Sequence, residues 1–78
     1  MNIGKYLKVV DTTTPNRKTK CYDLYNLRQE YLGRISYNPK WRKFCFYPDI
    51  NTSFDSTCLE DISMFLEELD NARKNERA

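Results

Sequence analysis

Between Tyr31 and Tyr47 the chain interleaves flat rings with cations: Arg34, Tyr37, Lys40, Trp41, Arg42, Lys43 and Tyr47. Such a set suits nucleic acid in two ways. Cations displace counterions from phosphates, and rings stack on unpaired bases at ~1–3 kcal/mol each. A three-stranded sheet can also enter a DNA major groove, with arginine reading guanine. These seven residues are the candidate nucleic-acid or partner-binding set. The same residue types also have a structural use. Trp41 and the tyrosines can close the edge of a small core, and the cations can keep a sheet in solution.

Catalytic chemistry has little to work with. The chain has no histidine, which removes every His-dependent triad, zinc site and acid–base scheme. Glu60, Asp61, Glu67 and Glu68 lie on the outside of a predicted helix, where no enclosed site gathers them for acid–base work. Cys21, Cys45 and Cys58 are widely spaced, form no CxxC pair and have no histidine base to activate them. They read as small apolar residues of a reduced cytosol. Gly4 and Gly33 are the only glycines, too few for a phosphate-cradling loop. The expectation is a non-enzymatic protein with no cofactor and no metal.

These residues need a scaffold, and 78 residues allow one small domain. With 40% apolar and 31% charged residues the chain reads as globular. It has no apolar run near the ~20 residues that span a bilayer, and its N-terminus lacks a signal-peptide core. A cytoplasmic location without a membrane partner is expected. The net charge of +2 hides an uneven distribution. Residues 1–48 hold ten Lys/Arg against three Asp/Glu, and residues 49–78 hold three against eight.

Alternation and turn residues predict strands at 5–11, 19–26, 31–37 and 41–47. Asn38-Pro39-Lys40 is the expected turn of the last hairpin, and Pro48 its end. In the third strand Arg34 and Ser36 share a face with Leu32, opposite Tyr31, Gly33, Ile35 and Tyr37. In the fourth, Phe44 and Phe46 face inward and Trp41, Lys43, Cys45 and Tyr47 outward; alternation sets Arg42 on the inner side. Leu59, Ile62, Phe65, Leu66 and Leu69 recur at helical spacing and predict a helix over 58–74. Thr57 with Glu60 forms a capping box, with Asp55 as the alternative cap. Residues 75–78 are expected to fray. An amphipathic helix must bury its stripe on a sheet. The expected fold is therefore α+β: a three- to four-stranded antiparallel meander with one C-terminal helix on one face. Its expected core is Val9, Tyr22, Leu24, Ile35, Phe44, Phe46, Leu59, Ile62, Phe65, Leu66 and Leu69.

Leu32-Gly33-Arg34-Ile35, the run Trp41–Pro48 and Cys58-Leu59-Glu60-Asp61-Ile62 carry a resemblance. They resemble a group of small proteins of bacteriophages and bacterial mobile elements with the pattern L-G-x-I, W-R-x-[FY]-x-F-x-P and C-L-x-D-I. The resemblance covers about residues 31–69. It implies a bacterial or phage intracellular origin and a one-domain fold, and it carries no mechanism.

Three kinds of partner are compatible with this sequence. The first is nucleic acid, bound through a basic and aromatic sheet face. The second is a host protein that the chain binds and modulates. The third is a second copy of the chain, joined through an exposed edge strand.

Overall fold

The computed structural model describes residues 1–77. Five antiparallel strands lie in one sheet in chain order: β1 (Asn2–Ile3), β2 (Leu7–Asp11), β3 (Cys21–Asn26), β4 (Tyr31–Asn38) and β5 (Lys43–Pro48). One helix, α1 (Ser56–Arg77), follows. The α+β class, the meander and the C-terminal helix agree with the expectation. The sheet has one strand more than expected. The addition is β1, where Asn2 pairs with Lys8 and Ile3 with Leu7. Two residues are too few to show a period, so alternation gives no sign of such a strand.

The helix covers one side of this sheet. Leu7, Val9, Leu24, Ile35, Phe44, Ile62 and Phe65 form the buried core. Tyr22 meets Phe65 edge-on at 5.3 Å between ring centres. Tyr22, Phe46, Leu66 and Leu69 are half-buried and pack against that core. Two assignments change. Leu7 joins the centre of the core, and Leu59 leaves it at 51% exposed. Cys58, Ile62, Phe65 and Leu69 define the middle of the packed stripe, and at about 100° per residue Leu59 stands about 90° from it.

The helix starts at Ser56, two residues before the expected start, because Asp55 caps it. Its Oδ1 accepts the Cys58 N–H at 2.9 Å, and its carbonyl accepts the Leu59 N–H at 3.0 Å. The predicted capping box on Thr57 is not the cap used. The helix also runs through residues 75–77, which were expected to fray; Ala78 lies outside the described residues. Twenty-two residues make a helix about 33 Å long, so it runs with the 37 Å long axis of the molecule. Its first half lies against the β1–β2 turn, where the Asp61 carboxylate occupies the space a Cβ on Gly4 would need. Its second half reaches the start of β5.

Gly33 redirects β4. It is buried with φ at +152°, and the β3–β4 register shifts beside it, between Leu24 and Tyr25. A Cβ here would strike the Tyr47 carbonyl and come within 2.8 Å of the Phe46 ring. The irregularity puts an extra residue into β4 and moves Tyr31 onto the open side, paired with Tyr25. Leu32 packs toward the core instead. Plain alternation had assigned these two residues the opposite way.

The turn between β4 and β5 is longer than expected. Asn38 pairs with Lys43, so Pro39, Lys40, Trp41 and Arg42 all lie in the turn. Asn38 Oδ1 accepts the Lys40 N–H at 3.0 Å, and Arg42 closes the turn with φ at +56°. Asparagine bonding its own backbone two residues on is a local turn device. Trp41 and Arg42 are therefore not strand residues. Pro48 continues β5 rather than ending it, which an edge strand permits because the missing N–H faces outward.

Two outcomes follow from this packing. Ile35→Ala removes a side chain with 0% exposure and should lose ~2–5 kcal/mol in urea denaturation, whereas Leu59→Ala should stay close to wild type. Hydrogen bonds from Cys58 hold the Asp55 carboxyl below its ordinary value of 3.8. A depressed carboxyl pKa stabilises the fold above the unfolded value, and that contribution disappears as pH falls through the folded one. Thermal melts from pH 6 to pH 2 should show Asp55→Asn losing less stability with acid than wild type over the window below about pH 4.

Candidate nucleic-acid interface

The seven candidate residues divide among three places. Arg34, Lys43 and Tyr47 lie on the open side of the sheet, and Arg34 pairs directly with Tyr47. Lys40, Trp41 and Arg42 occupy the hairpin tip, where Trp41 is 72% exposed. Tyr37 is on the opposite, helix-covered side. It stands edge-on to Phe44 at 5.6 Å, and the Arg73 guanidinium sits over its ring at 4.1 Å. Tyr37 follows Ile35 by two residues and shares its face; it is half-buried there, away from the open side of the sheet, and its ring lines the groove between hairpin and helix. The single basic and aromatic sheet face expected from sequence does not form as one surface.

What forms instead is a basic end. The β2–β3 loop, the β4–β5 hairpin and the last turns of α1 meet there around Arg73. The loop brings Arg17, Lys18 and Lys20 to a groove beside Tyr22, Phe44 and Leu69. On the other side of Arg73 a groove of about 720 Å³ runs between hairpin and helix. Arg42, Lys43 and Lys74 line that second groove, together with Glu67 and Asp70. Seven cations thus face two carboxylates across the two grooves. Arg17, Lys18, Lys20, Arg73 and Lys74 were not among the sequence candidates. They lie outside the aromatic run in sequence; the meander sets the β2–β3 loop beside the hairpin, and the return of α1 along the sheet adds Arg73 and Lys74.

Local contacts hold this end. Asp70 Oδ1 accepts the Phe44 N–H at 2.8 Å. That N–H points away from β4, so the contact ties α1 to the outer edge of β5. Alternate residues of a strand direct their N–H groups to the same side. The outward groups of β5 are therefore those of Phe44, which Asp70 occupies, Phe46, and Pro48, which has none. An edge so interrupted is a poor template for another strand. In the β2–β3 loop, Thr13 Oγ1 accepts the Cys21 N–H at 2.8 Å and donates to the Cys21 carbonyl at 3.2 Å. Asp11 accepts the Thr13 N–H at 2.8 Å and pairs with Lys20 at 3.6 Å. Hydrogen bonds from Thr13, with the Lys20 charge adding to them, hold the Asp11 carboxyl below the ordinary aspartate value.

The open side of the sheet is smaller in charge and richer in rings. Its central row is Val10, Asp23, Arg34 and Tyr47. Beside it Tyr25 and Tyr31 meet edge-on at 5.7 Å. Partial burial, then the Asp23 charge, push the Tyr31 phenol above its ordinary value of 10.0, so at neutral pH it is a neutral donor. The cysteines are free thiols. Burial, followed by Asp55, raises the Cys58 pKa and keeps it in the poorly nucleophilic thiol form. No helix among the described residues is long and apolar enough to cross a membrane. Comparison with protein-family models, curated proteins and solved structures returns no match.

The Asp70 contact has a measurable weight. Asp70→Ala leaves the Phe44 N–H without its partner and should lose ~1–3 kcal/mol in urea denaturation. The same variant frees an edge N–H, and light scattering should show more self-association at high protein concentration than in wild type.

Proposed function

We propose that this protein is a non-enzymatic binder of single-stranded nucleic acid, with the basic end as its phosphate-binding surface. One observation carries the reading. Three cation-bearing segments, distant in sequence, converge at one end beside a tryptophan that the fold leaves uncovered. Cations at that end meet phosphates, and Trp41 between Lys40 and Arg42 stacks on an unpaired base. The four-residue turn suits this role. It lifts the indole clear of the sheet on a hairpin whose base Asn38 and Lys43 pin.

The sequence pattern and this geometry differ on where the contact lies. The sequence favoured the sheet face; the charge distribution favours the end. On the open side, away from that end, two cations, Lys8 and Arg34, share the surface with Asp23. A phage or mobile-element origin, carried by the resemblance at residues 31–69, is part of the same proposal, as is a cytoplasmic site of action.

A second reading is a module that grips a host protein. Val10, Tyr31 and Tyr47 favour it, being exposed together on the open side. Exposed aromatic anchors carry much of the energy in protein interfaces. Salt dependence separates the two readings, because phosphate contacts release counterions and an aromatic interface does not.

Titration of Trp41 fluorescence with labelled single strands tests the first reading. Quenching should accompany binding, and log K should fall with log salt by about 0.7 for each phosphate neutralised. Lys18→Glu and Lys74→Glu should each weaken binding and flatten that slope, while Lys5→Glu and Arg28→Glu, at the far end, should change neither. Unchanged fluorescence with no salt-dependent binding would sink the proposal.

A further inference from the structure

The open side of the sheet carries a depression that the phosphate-binding end does not use. Tyr31, Arg34, Ser36, Tyr47, Pro48 and Asp49 line about 390 Å³ there. The depression is shallow and open, with all of its lining but Ser36 exposed, so it can seat one flat ring against its floor and does not enclose a larger ligand. The walls are held from several directions. Tyr31 is braced by Tyr25, and Arg34 and Tyr47 face each other across β4 and β5. Asp49 stands on a backbone fixed at both of its polar groups. Its N–H donates to the Leu32 carbonyl at 2.9 Å, and its own carbonyl accepts the Thr52 hydroxyl at 2.8 Å.

The polar pair in this depression is unspent. Among the described residues the ion pair within 4.0 Å is Lys20–Asp11, so Arg34 is paired with neither Asp23 nor Asp49. The site therefore offers one acceptor-only carboxylate, one donor-only guanidinium and two rings.

We infer that this depression is a pocket for a single guanine base. Guanine alone among the common bases places two donors side by side, N1–H and N2–H, and two acceptors, O6 and N7, next to them. A carboxylate takes the two donors, and a guanidinium forks onto O6 and N7. Adenine and cytosine would each turn a ring-nitrogen lone pair toward Asp49. Thymine has a single N–H between two carbonyls. Tyr31 and Tyr47 supply the stacking surface, which any base can use; Asp49 and Arg34 supply the choice. In a strand, the guanine would be read while the basic end holds the backbone, and that arrangement rests on the function proposed above. From Lys43 to Tyr47 is about 13 Å along β5, a span one strand can cover.

The test compares three labelled strands of about nine nucleotides: all-thymine, the same with one central guanine, and the same with one central adenine. Anisotropy should show the guanine strand binding at least about 5-fold tighter than the other two. Asp49→Asn should erase that preference and leave the all-thymine affinity in place. In parallel, amide spectra are recorded with guanosine monophosphate and with adenosine monophosphate. The guanosine form alone should shift Arg34, Tyr47 and Asp49. Equal binding of all three strands with no guanosine-specific shift overturns the pocket and leaves the phosphate-binding end standing. Guanosine-specific shifts without binding of any strand support the pocket and overturn the broader function. A guanine preference that survives Asp49→Asn overturns the assignment.

Discussion

One helix has to cover five strands. The chain has a single amphipathic segment, and its stripe, centred on Ile62 and Phe65, is spent on Leu7, Val9, Leu24, Ile35 and Phe44. Nothing in the described residues is left to cover the other side of the sheet. Everything about the surface follows from that asymmetry. The helix-covered side takes the β-branched and aliphatic residues, with Tyr37 and Phe44 completing it at one end. The open side must be wettable, so it carries Arg34, Asp23 and tyrosines, whose rings bring a polar hydroxyl with their apolar area. Small size sharpens the constraint. A domain of this length buries only about 60% of its unfolded surface, so single contacts such as Asp70 to the Phe44 N–H carry a visible share of what holds the fold.

The covered side was legible in the sequence because it obeys two simple periods. Val9, Leu24, Ile35 and Phe44 alternate as strand residues should, and Ile62, Phe65 and Leu69 recur as helix residues should. Reading failed where a local device breaks the period. Gly33 inserts an irregularity that sends Tyr31 to the opposite side, and no alternation rule anticipates it without the backbone angle. Asn38 builds a four-residue turn that absorbs Trp41 and Arg42, where a shorter turn would have left them in a strand. The helix start was ambiguous between Thr57 and Asp55, and the carboxylate, able to accept from Cys58, took the cap.

The candidate surface was only half legible for a different reason. The aromatic and basic run from Arg34 to Tyr47 is contiguous in sequence, so it attracts attention as a unit. Folding divides it, because successive strand residues point to opposite sides and a turn points to neither. Tyr37 goes under Arg73, Trp41 goes to the tip, and Arg34 and Tyr47 stay on the open side. The cations that complete the basic end come from a loop before the run and a helix after it. Their assembly depends on α1 returning along the sheet with its C-terminus beside the hairpin, where Arg73 and Lys74 also suit the negative end of the helix dipole.

The same return sets the charge along the molecule. Asp49, Asp55, Glu60 and Asp61 outnumber Lys5 and Arg28 where α1 begins, and the seven cations of the two grooves gather where it ends. The two groups are separated along a body 37 Å long, not across its thickness. At physiological ionic strength the field of a charge fades over ~8 Å, a small part of that length. A molecule approaching in solution therefore never meets a particle of charge +2. It meets a surface dominated by cations or one richer in carboxylates, according to which end it nears.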